Sequence, residues 1–188
     1  MGSVTDRILD RHRAFVTAQR MFFVATAPLG RDGHVNLSPK GLDSFRVLDE
    51  RTIAWLDFPG SGAETIAHVR ENGRVCVMFC AFAGNPGILR FHGRGSVVEP
   101  GDAEFAALRA QFPAGTGTAV RAILRAEVHR VAESCGFGVP LYDVRGDRDR
   151  LPEWCARKGE DGVRAYQREK NATSLDGLPA LRWVERGE

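Results

Sequence analysis

A mainly β (α+β) fold is what this sequence predicts: a small antiparallel barrel of six strands with helices packed at its ends. Three observations lead there. Six short apolar or alternating runs follow one another in hairpin-like order, and the link from Arg74–Phe82 to Ile88–Val98 is too short for a parallel crossover. Helical periodicity shows at the start, after the third strand and late in the chain. The regular strand–helix alternation of a doubly wound sheet is missing.

The 188 residues suffice for one substantial core, so a single domain over 1–188 is expected, with a C-terminal helical extension at about 150–188. A formal net charge of +2 is too small to point to nucleic acid. No apolar run approaches the roughly 18 residues of a membrane span. Residues Met1 to Arg20 carry both signs of charge and lack a signal-peptide apolar region. These features favour a cytoplasmic protein with neither nucleic-acid nor membrane partners. Cys76 and Cys80 face one side of a strand, roughly 13 Å apart at its rise of about 3.3 Å per residue. That excludes a disulfide between them. With Cys135 and Cys155 they read as reduced thiols.

In chain order, Thr5 to Gln19 is a helix by its stripe of Ile8, Leu9, His12, Phe15 and Val16, with Thr5 as its cap. Met21 to Ala27 is the first strand, stopped by Pro28. Asp32-Gly33 then makes a hairpin turn into the second, His34 to Ser38. Pro39 cannot donate to a ladder and marks an edge or exit. Leu42 to Leu48 fits a short helical turn, and Thr52 to Asp57 is the third strand. Ser61-Gly62-Ala63-Glu64 fits a capping box opening a helix that Asn72-Gly73 ends. Arg74 to Phe82 and Ile88 to Val98 form an antiparallel pair. Gly101 to Phe112 reads as a helix capped by Asp102, Thr118 to Arg125 as a shorter one, and Ala126 to Ser134 as the sixth strand. Leu151 to Lys170 is a charged amphipathic helix, and Ser174 to Pro179 is looser.

Asn36, Ser38 and Lys40 alternate onto one strand face, where an amide, a hydroxyl and an ammonium suit a phosphate or the polar edge of a ring. A solvated strand face is the plain alternative. Asp57 to Thr65 adds Gly60 and Gly62, which free the backbone, and the hydroxyls of Ser61 and Thr65 at a helix start. The unpaired N–H groups there favour an anion, although capping by Ser61 alone also explains the pattern. No Gly-Lys-Ser/Thr follows, so this is not a Walker loop. Arg90, His92 and Arg94 form a basic row opposite Phe91, again either a ligand face or a solvated one. His68 and His92 stand apart from other ligand-type residues, so no metal site is expected. Cys135-Gly136-Phe137-Gly138-Val139-Pro140 ends the last strand, with glycines that permit close backbone approach.

Asn36-Leu37-Ser38-Pro39-Lys40-Gly41, then Asp57-Phe58-Pro59-Gly60-Ser61-Gly62 before a helix with Thr65, then Asn72-Gly73-Arg74-Val75, resembles the pyridoxamine 5'-phosphate oxidase-like, FMN-binding split-barrel family. Gly93-Arg94-Gly95 and Cys135 to Pro140 resemble its uncharacterised branch more than the true oxidase. The likeness covers roughly Thr5 to Tyr142, and Leu151 to Leu178 also looks like that branch. It implies a six-stranded antiparallel split β-barrel with flanking helices, and a homodimer with FMN sites at the subunit interface. By the same resemblance, Asn36, Ser38, Pro39 and Lys40, with Asp57, Ser61, Gly62 and Thr65, line the ribityl-phosphate. Phe79 and Arg90 flank the flavin. Cys135, Gly136, Phe137 and Val139 stand where the true oxidase has a flavin-contacting tryptophan.

The departures bear on the reaction. The true oxidase has Ser-Arg-Lys at the helix start, where this chain has Ser61-Gly62-Ala63. Lys40, Arg74 or Arg90 must supply the missing charge, and Glu64 must turn away. The oxidase's substrate-phosphate segment and late Arg-x-His pair have no counterpart. The resemblance therefore implies flavin-dependent oxidoreduction of an unknown small molecule rather than pyridoxamine phosphate oxidation, and no acid or base is named. The other two readings are a non-catalytic flavin carrier or sensor, and a reductase using the deazaflavin F420.

Overall fold

The structure, a computed structural model, describes residues 2–114, 120–185 and 187. One antiparallel sheet dominates it, and its strand order is β3-β2-β6-β7-β8-β5-β4. These strands are β2 (Phe22–Thr26), β3 (Asn36–Lys40), β4 (Phe45–Val47), β5 (Thr52–Asp57), β6 (Arg74–Cys80), β7 (Ile88–Val98) and β8 (Ala122–Ser134). A two-residue β1 (Val4–Thr5) pairs with β8 off this path. The sheet curls into a half-barrel, as the split-barrel expectation requires. It has seven strands on its path, and β1 besides, rather than six.

Helices flank the sheet: α1 (Asp10–Thr17), α2 (Glu64–Asn72), α3 (Phe105–Arg109), α4 (Arg150–Lys170) and α5 (Arg182–Glu185). The interior holds the aromatic cluster of Phe22, Phe45, Phe79 and Phe91. Phe22 stacks on Phe79 with centroids 5.2 to 5.4 Å from its two aromatic neighbours, Phe45 and Phe79. Because Phe22 belongs to β2 and Phe45 to the edge strand β4, their contact brings one edge of the curled sheet against the strand next to the other edge.

Several element expectations are corrected. Residues Phe45–Val47 form an edge strand on β5, not a helical turn, after a sharp bend at Leu42 and Asp43 with φ of 61° and 50°. Ladder pairing with Trp55 and Ile53 outweighs weak local helical periodicity. Ala122–Arg125 begins β8 rather than ending a helix, and pairs with both Asp57–Ala54 and Val98–Ser96. Residues 118 and 119 of that expected helix lie outside the described residues. Thr5 sits in β1 and caps nothing. The cap of α1 is supplied by His12, whose Nδ1 accepts the Leu9 N–H at 3.1 Å. Asp102 accepts the Glu99 N–H rather than capping α3, which is only five residues long.

The expectations for Pro39 and Gly73 hold. Pro39 lies on β3, the edge strand where a missing donor costs nothing. Gly73 ends α2 at φ 71°, its N–H returning to Val69 O at 2.9 Å. Gly93 stands at the β7–β8 register shift, where a Cβ would come within 2.4 Å of Glu127 O. All four cysteines are free. No helix among the described residues is long and apolar enough to cross a membrane.

Candidate functional site

Strand β3, the β5–α2 loop and the start of α4 enclose an open cleft of about 450 Å³. Ser38, Pro39, Lys40, Ser61, Gly62 and Thr65 line it, all from the two stretches singled out in the sequence. Strand alternation explains half of this. Asn36, Ser38 and Lys40 point to one side of β3, while Leu37 and Pro39 point to the other. The β5–α2 connection explains the rest, since it carries the chain from the end of one strand directly into a helix start.

Asp57 anchors the cleft. It is fully buried, and its carboxylate lies between two cations, with Lys40 Nζ 2.8 Å from Oδ1 and Arg121 Nε 2.5 Å from Oδ2. Burial alone pushes this carboxyl up, but Arg121 and then Lys40 outweigh it and hold it at about 2. Asp57 is thus a permanent anion that aims two cations at the cleft wall. Arg121 also donates through Nη1 to Gly62 O at 2.8 Å, tying the loop to β8.

A hydrogen-bonded chain runs inward from the cleft. Ser38 Oγ donates to Asn36 Oδ1 at 2.8 Å. Asn36 Nδ2 donates to Thr65 Oγ1 at 3.0 Å and to Thr26 Oγ1 at 3.1 Å. Thr26 Oγ1 in turn meets His68 Nδ1 at 3.0 Å. Burial pushes the His68 pKa below the ordinary histidine value, against the pull of Asp176 and Glu64, and so favours the neutral ring. Thr26, engaged by both His68 and Asn36, thus holds the Asn36 amide against Thr65 and Ser38.

The helix start differs from the expected capping box. Its N-cap is Ala63, with no side-chain cap. Among the described residues, no hydrogen bond engages the N–H groups of Ser61, Gly62, Ala63 or Glu64. The Glu64 carboxylate lines the cleft against Gly62, and its Oε1 accepts the Leu175 N–H at 3.2 Å. What remains is a row of free N–H donors at the positive end of a nine-residue helix, flanked by Lys40 and Arg121. Such a row suits a phosphate, although the Glu64 carboxylate beside Gly62 opposes one.

The remaining predicted residues lie elsewhere in the chain. Phe79 is 2 % exposed, inside the aromatic cluster. Arg90 stands on the outward face of β7 and donates to Ser134 Oγ at 3.2 Å. Cys135, Phe137 and Val139 follow β8 in a turn closed by Val139 N–H to Gly136 O at 2.9 Å, with Phe137 82 % exposed. Of the cations proposed to replace the missing charge, Lys40 reaches the cleft. Arg74 turns to Pro28 O and Asn72. Arg121 was missed. It stands in a stretch read as helix, and no motif marks it; only its pairing partner across the sheet reveals it.

Comparison with known proteins agrees with this architecture. Residues 8–135 match the family described as pyridoxamine 5'-phosphate oxidase. The pyridoxamine 5'-phosphate oxidase family protein ustO of Aspergillus flavus is 40% identical over 193 residues, covering 94% of this chain and 76% of the fungal one. Among solved structures, HupZ of Group A Streptococcus superposes with a TM-score of 0.53 at 23% identity, covering 66% of this chain and 91% of its own. A variant form of HupZ gives 0.55 at 23% identity, over 68% and 99% of the two chains. At that identity the likeness concerns the fold alone.

Proposed function

The chain belongs to the pyridoxamine 5'-phosphate oxidase family, and from that premise we propose that it binds FMN and serves as a flavin-dependent oxidoreductase acting on a small molecule. The observation that carries this reading is the cradle at the start of α2, where free N–H groups from Ser61 to Glu64 stand beside Lys40 and Arg121. These groups and the Thr65 hydroxyl would hold the flavin phosphate. Asn36 and Ser38 would meet the ribityl hydroxyls. The bound flavin would supply the redox chemistry, while the chain binds it, orients it and keeps competing reactions out. The Ser-Arg-Lys charges of the true oxidase are replaced here by cations from β3 and the start of β8. This favours a different substrate from pyridoxamine phosphate.

The proposed unit is a homodimer. Two cross-strand rows face outward on the sheet, Pro39–Phe23–Met78–Arg90–Ala132 and Leu37–Ala25–Cys76–His92–Arg130. Leu37 is 63 % exposed, and Phe137, Leu141 and Tyr142 add further exposed apolar surface. So much apolar area in one subunit suits a partner. Arg90 and the Cys135 to Val139 turn would reach the flavin across that contact. Four free thiols, with Cys135 exposed, fit a reducing cytoplasm.

The test is a titration of the purified protein with FMN, read by flavin absorbance and fluorescence, followed by anaerobic reduction with a nicotinamide donor. Saturable binding and donor-driven bleaching are expected. Binding without reduction by any donor would leave the carrier or sensor role. A folded protein that ignores FMN would overturn the reading and put F420 or a flavin-free role ahead.

A further inference from the structure

We propose that Asn171, beyond the stretch that the family match covers, is a positioning residue for the phosphate cradle. By holding the Gly60 carbonyl it turns the Ser61 N–H into the cleft. This rests on the flavin-phosphate reading above.

Asn171 follows α4 and is fully buried. Its Nδ2 donates to Gly60 O at 2.9 Å. Its own backbone is fixed at both groups, with N–H to Gln167 O at 2.8 Å and the carbonyl accepting from Leu181 N–H at 3.3 Å. The amide is thus a rigid donor. In a planar trans peptide the carbonyl and the following N–H point in opposite directions. Gly60 and Ser61 line the cleft, whereas the buried Asn171 does not. Holding the Gly60 carbonyl back therefore sends the Ser61 N–H forward.

Among the described residues, no other hydrogen bond holds the Gly60 carbonyl. A Cβ built on Gly60 would meet no atom within 4 Å, so packing does not orient it, and glycine has wide backbone freedom. Asn171 Oδ1 is buried without a partner among the described residues. The side chain bears that cost while only its donor half is used, which fits a residue kept for what it holds. The same C-terminal segment reaches the cradle a second time, because the Leu175 N–H donates to Glu64 Oε1. The extension after β8 thus turns a donor toward the anion.

The test compares FMN with riboflavin, which lacks the phosphate, by fluorescence titration of the full chain. For Asn171→Ala and the isosteric Asn171→Asp, the FMN Kd should rise about tenfold, the worth of one donor to a charged group. The riboflavin Kd should hold within about twofold. Glu169→Ala, on the exposed side of α4, should leave both unchanged. Parallel loss of both ligands, or loss of neither, overturns the proposal, as does a wild-type protein that binds both equally. In that last case the flavin reading survives. Binding of neither ligand by the wild type sinks both readings. A second readout needs no variant: in the 15N-labelled wild type, the Ser61 amide proton should move downfield with FMN and not with riboflavin. An unmoved Ser61 amide overturns the assignment even if the variants fail to fold.

Discussion

Arg121 Nε lies 2.5 Å from Asp57 Oδ2, and the Arg121 N–H donates to Asp57 O at 3.0 Å, so one residue pair joins the end of β5 to the start of β8 by both side chain and backbone. The guanidinium is 5 % exposed and the carboxylate fully buried. Removing one partner strands a buried charge, which costs roughly 3–5 kcal/mol in comparable sites. Arg121→Met should therefore lower the urea stability by about 3 kcal/mol, Lys40 keeping part of the compensation. Asp57→Leu combined with Arg121→Met should cost clearly less than the two single changes summed. A double-mutant cycle measures this, and additivity would show that the pair does not act as a unit.

Acid should unfold the protein partly through Asp57. Its carboxyl is held at about 2, against an ordinary 3.8. A folded pKa below the unfolded one gives stability that is complete above the unfolded value and fades as pH falls through the folded value. The fading begins near pH 5 and is roughly complete near pH 1. The shift corresponds to about 2 kcal/mol at about 1.4 kcal/mol per unit. Glu133, also held at about 2 chiefly by the Ser3 hydroxyl, titrates in the same window. The Asp57 share is therefore read as a difference. Wild type should lose about 2 kcal/mol more than Asp57→Asn between pH 6 and pH 2 in urea titrations. Parallel curves would show that Asp57 titrates normally.

Phe79 separates packing from cofactor contact. It is 2 % exposed, stacks on Phe22 and meets Phe45 edge-on with centroids 4.8 Å apart. Phe79→Ala should cost about 3–5 kcal/mol, the usual loss for a large buried aromatic. Phe79→Leu, nearer in volume, should cost about 1–2 kcal/mol and leave FMN affinity within twofold of wild type. A selective loss of FMN affinity in the stable Phe79→Leu protein would instead place this ring against the flavin.

The sequence made the cleft partly legible because its two walls are local. Asn36, Ser38 and Lys40 share a face by simple strand alternation, and Gly60, Ser61, Gly62 and Thr65 announce a loop entering a helix. Arg121 and Asn171 were not legible. Each acts on the cradle from a distant part of the chain, 59 residues from Gly62 and 111 from Gly60 respectively, and neither sits in a motif. The edge strand Phe45–Val47 escaped for a related reason. Three residues carry too little periodicity to outweigh the helical look of their neighbours, and pairing with β5 decides their state. Glu64 shows the opposite failure: Ser61-x-x-Glu64 matches a capping box locally, yet the Leu175 N–H takes the carboxylate and leaves the helix uncapped.

Met78 tests the dimer. It stands mid-row on the outward sheet face, paired with Phe23 on one side and Arg90 on the other. In a monomer this position is half exposed, so a charge there would be solvated and change stability by roughly 0.5 kcal/mol or less. In a dimer formed through this face the same charge would be buried without a designed partner, at a cost of several kcal/mol. Met78→Glu should therefore convert a dimer to a monomer in sedimentation or light scattering, while the monomer keeps its circular dichroism. FMN affinity should fall with dissociation if Arg90 and the Cys135 to Val139 turn reach the flavin from the partner. A wild-type monomer would refute the dimer directly. A Met78→Glu dimer with full FMN affinity would move the interface to another face.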